Sequence, residues 1–388
     1  MSSVHFSLSS ETIMLATELR HELHRNAELS NCEFHTKEIL ITWLRKHTKA
    51  EINDRGQWFY AVCRAKNPKK RIAFRADMDA LPIDEKSMTG YSSKTRGVAH
   101  KCGHDGHSAI LAAFAYEVSR RMDTELAVED DVFFLFQHAE EVGDGAKVCC
   151  RLIYDEKIDE IFGIHNMPGL PLNQVAVHTG TAAFASKGLV LSFKGLNSHA
   201  SQPEKGKNPA YAIAKTILKN SELIQSNKFS GIVMSTIIAV ELGSPNAFGT
   251  SAGFGRLMLT IRTEQESELL VLQDELMSCA RNFAEEDGIE LEMEERDVFP
   301  ETFNHADSAE MVRQCCKKLN LQIAKWDEPF RSSEDFGYYT KLIKGAIIYL
   351  GCGENHAPLH TVDYDFDDEI IETGVKLFLA LSQQMKNE

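Results

Sequence analysis

The stretch "AHKCGHDGHSAILAAFAYEVSRRM", residues 99–122, joins a cluster of polar side chains to an apolar segment with helical spacing. Three histidines, a cysteine and an aspartate lie within its first ten residues. Imidazole, thiolate and carboxylate groups are the side chains that bind first-row metal ions. A single such residue is more often a surface or core group whose hydrogen bonds are satisfied. Whether this cluster binds a metal therefore depends on further ligand residues elsewhere in the sequence.

Short apolar runs of strand type lie on both sides of this stretch. "RIAFRA" (71–76) precedes it and "DVFFLFQ" (131–137) follows it. Two helices are predicted earlier in the chain, over 11–29 and 37–47, and a further strand over 159–165. Strands that alternate with helices are typical of an α/β layer structure.

The middle of the chain has a different order of elements. Strands are predicted over 188–195, 231–242, 256–263 and 289–296, and helices over 208–224 and 264–287. This β-α-β-β-α-β order is that of a ferredoxin-like domain. After it we expect a helix over 307–319, a strand over 321–326, a helix over 334–343, a strand over 345–351 and a last helix from about 367.

The predicted fold is therefore α/β, with one α/β domain interrupted by an inserted ferredoxin-like domain. The expected boundaries are 1–183 for the first part of the α/β domain, 184–296 for the inserted domain, and 297–388 for the second part of the α/β domain. A chain of 388 residues is long enough for two domains.

Composition excludes several function classes. With 42 Lys and Arg against 57 Asp and Glu, the net charge of −15 argues against a nucleic-acid binder and gives no support for binding an anionic membrane. The start of the sequence lacks the pattern of a signal peptide, and no apolar run is long enough to span a membrane. Nine cysteines, an odd number, do not suggest a disulfide framework, so we expect a cytoplasmic protein.

Several predicted strands end in side chains of the metal-binding or acid–base type. These side chains are Asp77, Asp79, His138, Glu140, Glu141, His165, His356 and His360. In open α/β sheets the carboxyl ends of the strands form the binding edge. A lone Glu-Glu pair is usually a solvated surface charge, and a lone histidine is usually not a metal ligand. We therefore interpret His5, His178 and His305 as histidines without a metal. The occurrence of such side chains at several strand ends together favours a metal site. Whether His138 and His356 belong to this site stays open at this point.

Eight motifs together resemble the two-metal amidohydrolases of the aminoacylase/carboxypeptidase clan. The motifs are "LRHELHRNAELS", "FRADMDALPI", "AHKCGHDGHSA", "FQHAEE…GA", "HNMPGLPL", "SHASQPEKGKNPA", "SSEDFGYY" and "PLHTVDYDFDD". They extend from about residue 19 to residue 368. The subgroup that the chain most resembles contains hippurate hydrolase, the auxin-conjugate hydrolases and N-acetyl-diaminopimelate deacetylase.

This resemblance implies the roles of eight residues. It implies five ligands for two divalent metal ions: Cys102, His104, Glu141, His165 and His360. It further implies that Glu140 is the general base for a water that bridges the two metals, that Asp79 holds a ligand histidine, and that His199 of the insert contacts the substrate. The resemblance also implies that the α/β domain is the metal-binding catalytic domain and that the insert is a lid or dimerisation domain. The expected reaction is the hydrolysis of the amide bond of an N-acyl-amino acid, in a homodimer formed through the insert.

The chain departs from the family near "GSPNAFGTSA", where only Asn246 is left of an Asn-Val-Ile-Pro run, and at His138, where proline is common. Asn246 could bind a polar group of the substrate, and Arg262 is either a carboxylate-binding residue or an ordinary strand-face charge. A dipeptidase or carboxypeptidase with the same metal site is the alternative function, and a metal-bound pseudoenzyme that acts as a binding protein is a third. The ligand set suits zinc, with manganese, nickel and cobalt as alternatives.

Overall fold

The computed structural model of the chain describes residues 6–86, 89–325 and 328–384. Contacts divide the chain into two compact units. The first unit contains the chain up to Ala182, Thr302–Glu328 and the chain from Glu334 onwards. The second contains Ala183–Glu301 and the short segment Pro329–Ser333.

The secondary structure of both units follows in chain order. The helices are α1 (Ser10–Arg25), α2 (Phe34–His47), α3 (His104–Arg121), α4 (Gly145–Cys149), α5 (Arg151–Glu156), α6 (Ala210–Ile224), α7 (Glu266–Glu286), α8 (Ala306–Leu319), α9 (Gly337–Thr340) and α10 (Ile371–Gln384). The strands are β1 (Glu51–Asp54), β2 (Phe59–Cys63), β3 (Arg71–Asp77), β4 (Asp131–Gln137), β5 (Glu160–Met167), β6 (Val175–Ala176), β7 (Gly180–Ala183), β8 (Ala185–Lys194), β9 (Ser198–His199), β10 (Val233–Leu242), β11 (Thr250–Ser251), β12 (Phe254–Thr263), β13 (Glu290–Phe299), β14 (Thr302–Asn304) and β15 (Lys344–Gly351).

The first unit is built on a seven-stranded sheet in the order β1-β2-β4-β3-β5-β15-β6. The four central strands, β4, β3, β5 and β15, are parallel, and the outer strands pair antiparallel. The parallel strands are buried almost throughout, as their continuous apolar runs predict. All four carboxyl ends therefore lie at the same edge of the sheet.

An aromatic cluster joins α3 to the sheet. The Phe74 ring of β3 lies 4.7 Å from the Phe114 ring of α3, 5.8 Å from Phe162 of β5 and 4.9 Å from Phe378 of α10. Helix α3 is buried along nearly all its length because α1 and α10 also pack against it. The start of α3, where the histidine cluster lies, is thus fixed against the sheet.

The second unit has the predicted ferredoxin-like topology. Its four-stranded antiparallel sheet has the order β10-β12-β8-β13, and α6 and α7 connect β8 to β10 and β12 to β13. Alternate residues of β12 and most residues of β8 are buried, and apolar side chains of both strands pack with the apolar faces of α6 and α7. The predicted fold class is confirmed. The compact unit extends from Ala183 to Glu301 and adds Pro329–Ser333, against the expected 184–296.

Three predicted elements differ in the structure. The helix predicted over 11–29 ends at Arg25, because the Asn26 side chain donates to the Glu22 carbonyl and its backbone N–H donates to the Leu23 carbonyl. The strand predicted over 321–326 was wrong for its described residues, 321–325, which form a single bridge from Ile323 to the two-residue strand β6.

The helix predicted over 334–343 shortens to α9. The side chains of Glu334 and Asp335 form ion pairs with Arg75. The backbone N–H of Asp335 donates a hydrogen bond to Glu140. Because of these contacts, the segment becomes helical only after Asp335. No helix in the described part of the chain is long and apolar enough to cross a membrane.

Candidate metal centre

The carboxyl edge of the parallel sheet collects the predicted site residues of the first unit. Asp79 follows β3, Glu140 and Glu141 follow β4, His165 lies near the end of β5, and His360 follows β15. The side chains of Asp79, Glu140 and His165 are buried. The parallel pairing of the strands thus brings together groups that are up to 281 positions apart in the sequence, from Asp79 to His360 (360 minus 79).

The start of α3 places the two remaining candidate ligands. Gly103, the N-cap of α3, has a φ of 100°, and a Cβ there would lie 2.3 Å from Oδ1 of Asn166. Only glycine fits this left-handed position, because a side chain would meet both backbone strain and a clash. The resulting turn puts the buried side chains of Cys102 and His104 on the same centre.

The five predicted ligands form two groups that share Cys102. The first group is Cys102, His104 and His165, and the second is Cys102, Glu141 and His360; within each group the candidate ligand atoms lie within 4.8 Å of one another. The Cys102 Sγ is 3.5 Å from Nε2 of His165 and 3.4 Å from Nε2 of His360. With Cys102 as a shared ligand, these two groups would hold two divalent ions.

Second partners orient the histidines of this centre. The Nδ1 atom of His104 lies 3.1 Å from Oδ1 of Asp79, and Nδ1 of His165 lies 2.7 Å from the carbonyl oxygen of Asn166. A hydrogen bond at Nδ1 leaves Nε2 to bind a metal, which is the usual arrangement at metal sites. Asp79 thus contacts His104, one of the predicted ligands.

The donor atoms fit bound cations. Among the described residues, Nε2 of His104 and Oε1 of Glu141 are buried and have no hydrogen-bond partner, although they lie only 3.7 Å apart. Burial and the charges of Glu141 and Glu140 raise the pKa of the Cys102 thiol well above its usual value. Burial raises the pKa of Glu141 to about 7, although His104 opposes this. A bound cation would offset the repulsion among Cys102, Glu140 and Glu141 and would give a partner to Nε2 of His104 and Oε1 of Glu141.

Glu140 lies beside these groups but faces a different neighbour. One carboxylate oxygen is 3.9 Å from Nε2 of His104, and the other accepts a hydrogen bond of 3.3 Å from the backbone N–H of Asp335. Burial, followed by the charges of Glu334 and Asp335, raises the pKa of Glu140 well above its ordinary value. A carboxyl group with a raised pKa at the edge of a metal centre is suited to accept and return a proton.

The three predicted substrate residues lie in the second unit. His199 is exposed in β9 and pairs with Thr250 of β11. Asn246 is exposed in the turn between β10 and β11. Arg262 of β12 is half-buried and donates to the Ser333 hydroxyl, and no described carboxylate lies within ion-pair distance of it.

His138 and His356, whose roles the sequence left open, lie outside both ligand groups. His138 is buried and its Nδ1 lies 3.9 Å from the thiol of Cys149. The Nδ1 of His356 is 3.0 Å from the Ala357 carbonyl oxygen, and its ring lies 5.3 Å from the Tyr364 ring.

The sequence analysis did not identify three buried polar residues around the centre, Arg75, Asn166 and Tyr364. Arg75 pairs with Asp77 at 2.6 Å, and the other oxygen of Asp77 lies 2.7 Å from Nδ1 of His107. The chain of hydrogen bonds continues from His107 Nε2 to Asn166 and from Asn166 to the Tyr364 hydroxyl. An arginine inside the apolar run "RIAFRA" was the one available signal, because a charge in a buried strand needs a partner.

Comparison with known proteins agrees with this geometry. The family model described as peptidase family M20/M25/M40 matches residues 73–384. The hippurate hydrolase of Campylobacter jejuni is 28% identical over 378 residues, which cover 94% of this chain and 95% of that protein. The N-acetyldiaminopimelate deacetylase of Limosilactobacillus reuteri is 26% identical over 385 residues, covering 95% and 98% of the two chains.

A solved structure supports the fold. A Bacillus subtilis protein described as a dinuclear metal-binding peptidase of the M20 family superimposes with a TM-score of 0.81 at 24% identity. The superposition covers 97% of this chain and 99% of that one.

We predict that the protein binds two divalent ions and that Cys102→Ala weakens both positions. The reason is that Cys102 is the residue common to the two ligand groups. Equilibrium dialysis against zinc or manganese, followed by metal analysis, measures the stoichiometry. Cys102→Ala should retain fewer ions than His360→Ala, which affects one group.

Cys63→Ala is the matched control for this prediction, since Cys63 is a buried thiol of β2 outside both ligand groups. It should bind as many ions as the unaltered protein. Equal binding by Cys102→Ala and Cys63→Ala would remove Cys102 from the centre, and only trace metal in the reconstituted protein would remove the centre itself.

Proposed function

This chain belongs to the peptidase family M20/M25/M40 and is a hydrolase, and from that premise we propose that it cleaves the amide bond of N-acyl-amino acids with two divalent metal ions. The observation that carries the proposal is the pair of ligand groups that share Cys102, with Glu140 beside them. The relatives named hippurate hydrolase and N-acetyldiaminopimelate deacetylase support the substrate class, because both names describe an N-acylated amino acid.

The proposed ligands are Cys102, His104, Glu141, His165 and His360. When bound, two divalent ions would lower the pKa of a water molecule and polarise the carbonyl group of the amide. Cys102 has to be a thiolate to bind, and cation binding favours this form. The metal, whether zinc, manganese, nickel or cobalt, depends on availability as well as on the donor set.

Glu140 is the proposed general base. Its carboxylate takes a proton from the attacking water and delivers it to the leaving nitrogen, which departs as an amine. The hydrogen bond from the Asp335 backbone N–H to one oxygen leaves the other oxygen on the side of His104. Asp79 acts on the reaction indirectly, through His104, whose ring it orients, and through Glu141, from whose backbone N–H it accepts a hydrogen bond.

We propose that the second unit supplies the substrate contacts. The Ser201 backbone N–H donates to Nδ1 of His199, which favours the tautomer with its proton on Nε2. Such an N–H can donate to the oxyanion that forms on the amide oxygen. Capping of α6 does not require His199, because the Asn208 side chain accepts from Ala210 N. Arg262, with its open charge, is the proposed partner of the substrate carboxylate, and Asn246 that of a polar group.

Glu140→Gln should lose most turnover and keep its metal ions. General acid–base catalysis contributes roughly 10²–10⁴-fold, and glutamine cannot accept the proton. A panel of N-acetyl-, N-benzoyl- and longer N-acyl-amino acids, with dipeptides included, identifies the substrate class under zinc, manganese, nickel and cobalt. The kcat of the variant is then measured on the preferred compound.

Glu160→Gln serves as the control for this prediction, because Glu160 is a buried carboxylate at the opposite end of β5, bonded to Ser308. It should keep the kcat of the unaltered enzyme. Undiminished turnover in Glu140→Gln would remove Glu140 from the proposed role. Hydrolysis of dipeptides alone would favour a peptidase, and no hydrolysis by the metal-loaded protein would favour a binding protein.

His199→Ala should lower kcat while metal content and folding stay unchanged. Loss of one donor to an oxyanion typically costs about 10²–10³ in turnover. Steady-state kinetics and metal analysis on the same sample separate the two effects. His35→Ala, at an exposed histidine of α2, is the control. Wild-type kcat and kcat/KM in His199→Ala would leave the insert without a catalytic part.

We also propose a cytoplasmic homodimer formed through the second unit. Strand β10 lies at an edge of the sheet and exposes Ile238 and Val240, and α6 exposes Tyr211 and Leu218. An exposed apolar edge strand is a ready surface for pairing with a second copy.

Ile238→Lys should therefore shift the protein from dimer to monomer. The introduced charge opposes edge pairing, as lysine does on natural edge strands. Sedimentation velocity over a range of concentrations measures the shift. Leu172→Lys, at an exposed leucine of the first unit, is the control. A monomeric wild-type protein, or a dimer that Ile238→Lys leaves intact, would contradict the proposed interface.

A further inference from the structure

The residues that carry the candidate base and a candidate ligand form one short turn. We name residues 139–146 the glutamate turn, since Glu140 and Glu141 lie in it. The turn begins at Ala139, which has a φ of 48°, in the left-handed region. This region is unfavourable for a residue with a Cβ, so the surrounding structure has to hold it there.

Three carboxylates hold the glutamate turn through its backbone N–H groups. Glu33 accepts from Ala139 at 2.7 Å, Asp79 accepts from Glu141 at 3.0 Å, and Asp335 accepts from Ala146 at 2.8 Å. All three acceptors are buried. The turn is therefore fixed near its start, middle and end by hydrogen bonds to buried carboxyl oxygens.

Helix capping does not account for the buried position of Glu33. It is the N-cap residue of α2, yet its side chain makes no capping bond. The first turn of α2 is instead capped by Glu28, which accepts from the backbone N–H and the hydroxyl of Thr36. Glu33 is 3% exposed, and its carboxylate interacts with the nearby backbone of Asn31 and of Glu33 itself, and with Ala139, which lies 106 positions away. Burial of a carboxylate is costly, so the distant contact needs a reason beyond helix capping.

We propose that Glu33 is a positioning residue for the general base: its carboxylate holds Ala139 in the left-handed conformation that directs Glu140 into the metal centre. This inference rests on the proposed function. The Asp335 backbone N–H then fixes one oxygen of Glu140. Glu141 is held separately, through Asp79. Glu33 therefore positions Glu140, which follows Ala139 directly, more than it positions the candidate metal ligand Glu141.

The test compares Glu33→Ala with Glu33→Gln. Alanine leaves the Ala139 N–H buried without its acceptor, whereas the glutamine side-chain oxygen can still accept it. A displacement of about 1 Å in a reacting group can cost about 10²-fold in rate, so the kcat of Glu33→Ala should fall by about 10- to 10²-fold. KM and the number of bound metal ions should stay unchanged, and Glu33→Gln should restore most of the kcat.

Glu117→Ala is the matched control for a purely structural effect. Glu117 of α3 is also a buried carboxylate; it accepts from Thr12 and pairs with Arg120 and Arg121. Its loss should lower the free energy of unfolding but leave the kcat of the folded enzyme unchanged. Urea unfolding of each variant allows the kcat values to be compared for folded protein. If Glu33→Ala does not fold, Glu33→Met, which keeps much of the volume without the acceptor, takes its place.

Hydrogen–deuterium exchange supplies a readout that needs no substrate. Exchange in the glutamate turn should rise in Glu33→Ala and stay at the wild-type level in Glu33→Gln and Glu117→Ala. The proposal is overturned if Glu33→Ala keeps the wild-type kcat, if it loses metal, or if Glu33→Gln is equally impaired. If the wild-type enzyme hydrolyses no N-acyl-amino acid, the proposed function fails, while the exchange result still decides whether Glu33 holds the turn.

Discussion

A single buried arginine organises the carboxyl edge of the sheet. The Arg75 guanidinium donates to Gln137, Asp77 and Asp335 at 2.6–2.8 Å and pairs with Glu334 at 3.1 Å. It thereby joins the ends of β3 and β4 to the segment that precedes α9. Removing one partner of a buried ion pair typically costs about 3–5 kcal/mol, because the other charge is left without compensation. The position of Glu140 depends on this cluster, since the Asp335 backbone N–H bonds to it.

The charge of Arg75 does not balance the carboxylates around it. Asp77, Glu334 and Asp335 contact it directly, and Glu140 and Glu141 lie close by. Burial and mutual repulsion accordingly raise the pKa of Glu140 well above its ordinary value and that of Asp335 to about 8. A buried excess of negative charge is costly unless cations compensate it. The fold thus creates, at the ends of its parallel strands, an electrostatic demand that two divalent ions would meet.

The fold was predictable from the sequence where local pattern decides the structure. Continuous apolar runs predicted the parallel strands, and the β-α-β-β-α-β order predicted the second unit, because both patterns depend on neighbouring residues. The residues at strand ends followed from the topology, but their separation into ligands and base came from the resemblance. Contacts between distant residues were out of reach: Glu33 and Ala139 lie 106 positions apart. The same reason explains why α9 is shorter than predicted. The contacts of Glu334 and Asp335 with Arg75, which is distant in the sequence, override the helical pattern of residues 334–336.

The way the residues are held also indicates which of them can vary. Around the metal centre, Asp79 contacts both His104 and the backbone of Glu141, so its replacement would disturb two candidate ligands together. Asn246, by contrast, lies in an exposed turn, where substitutions leave the core of the second unit untouched. Surface loops tolerate such changes at little cost in stability, while they carry the groups that meet a ligand. The departure of "GSPNAFGTSA" from the family pattern therefore lies at the proposed substrate contact of Asn246 and not among the candidate metal ligands.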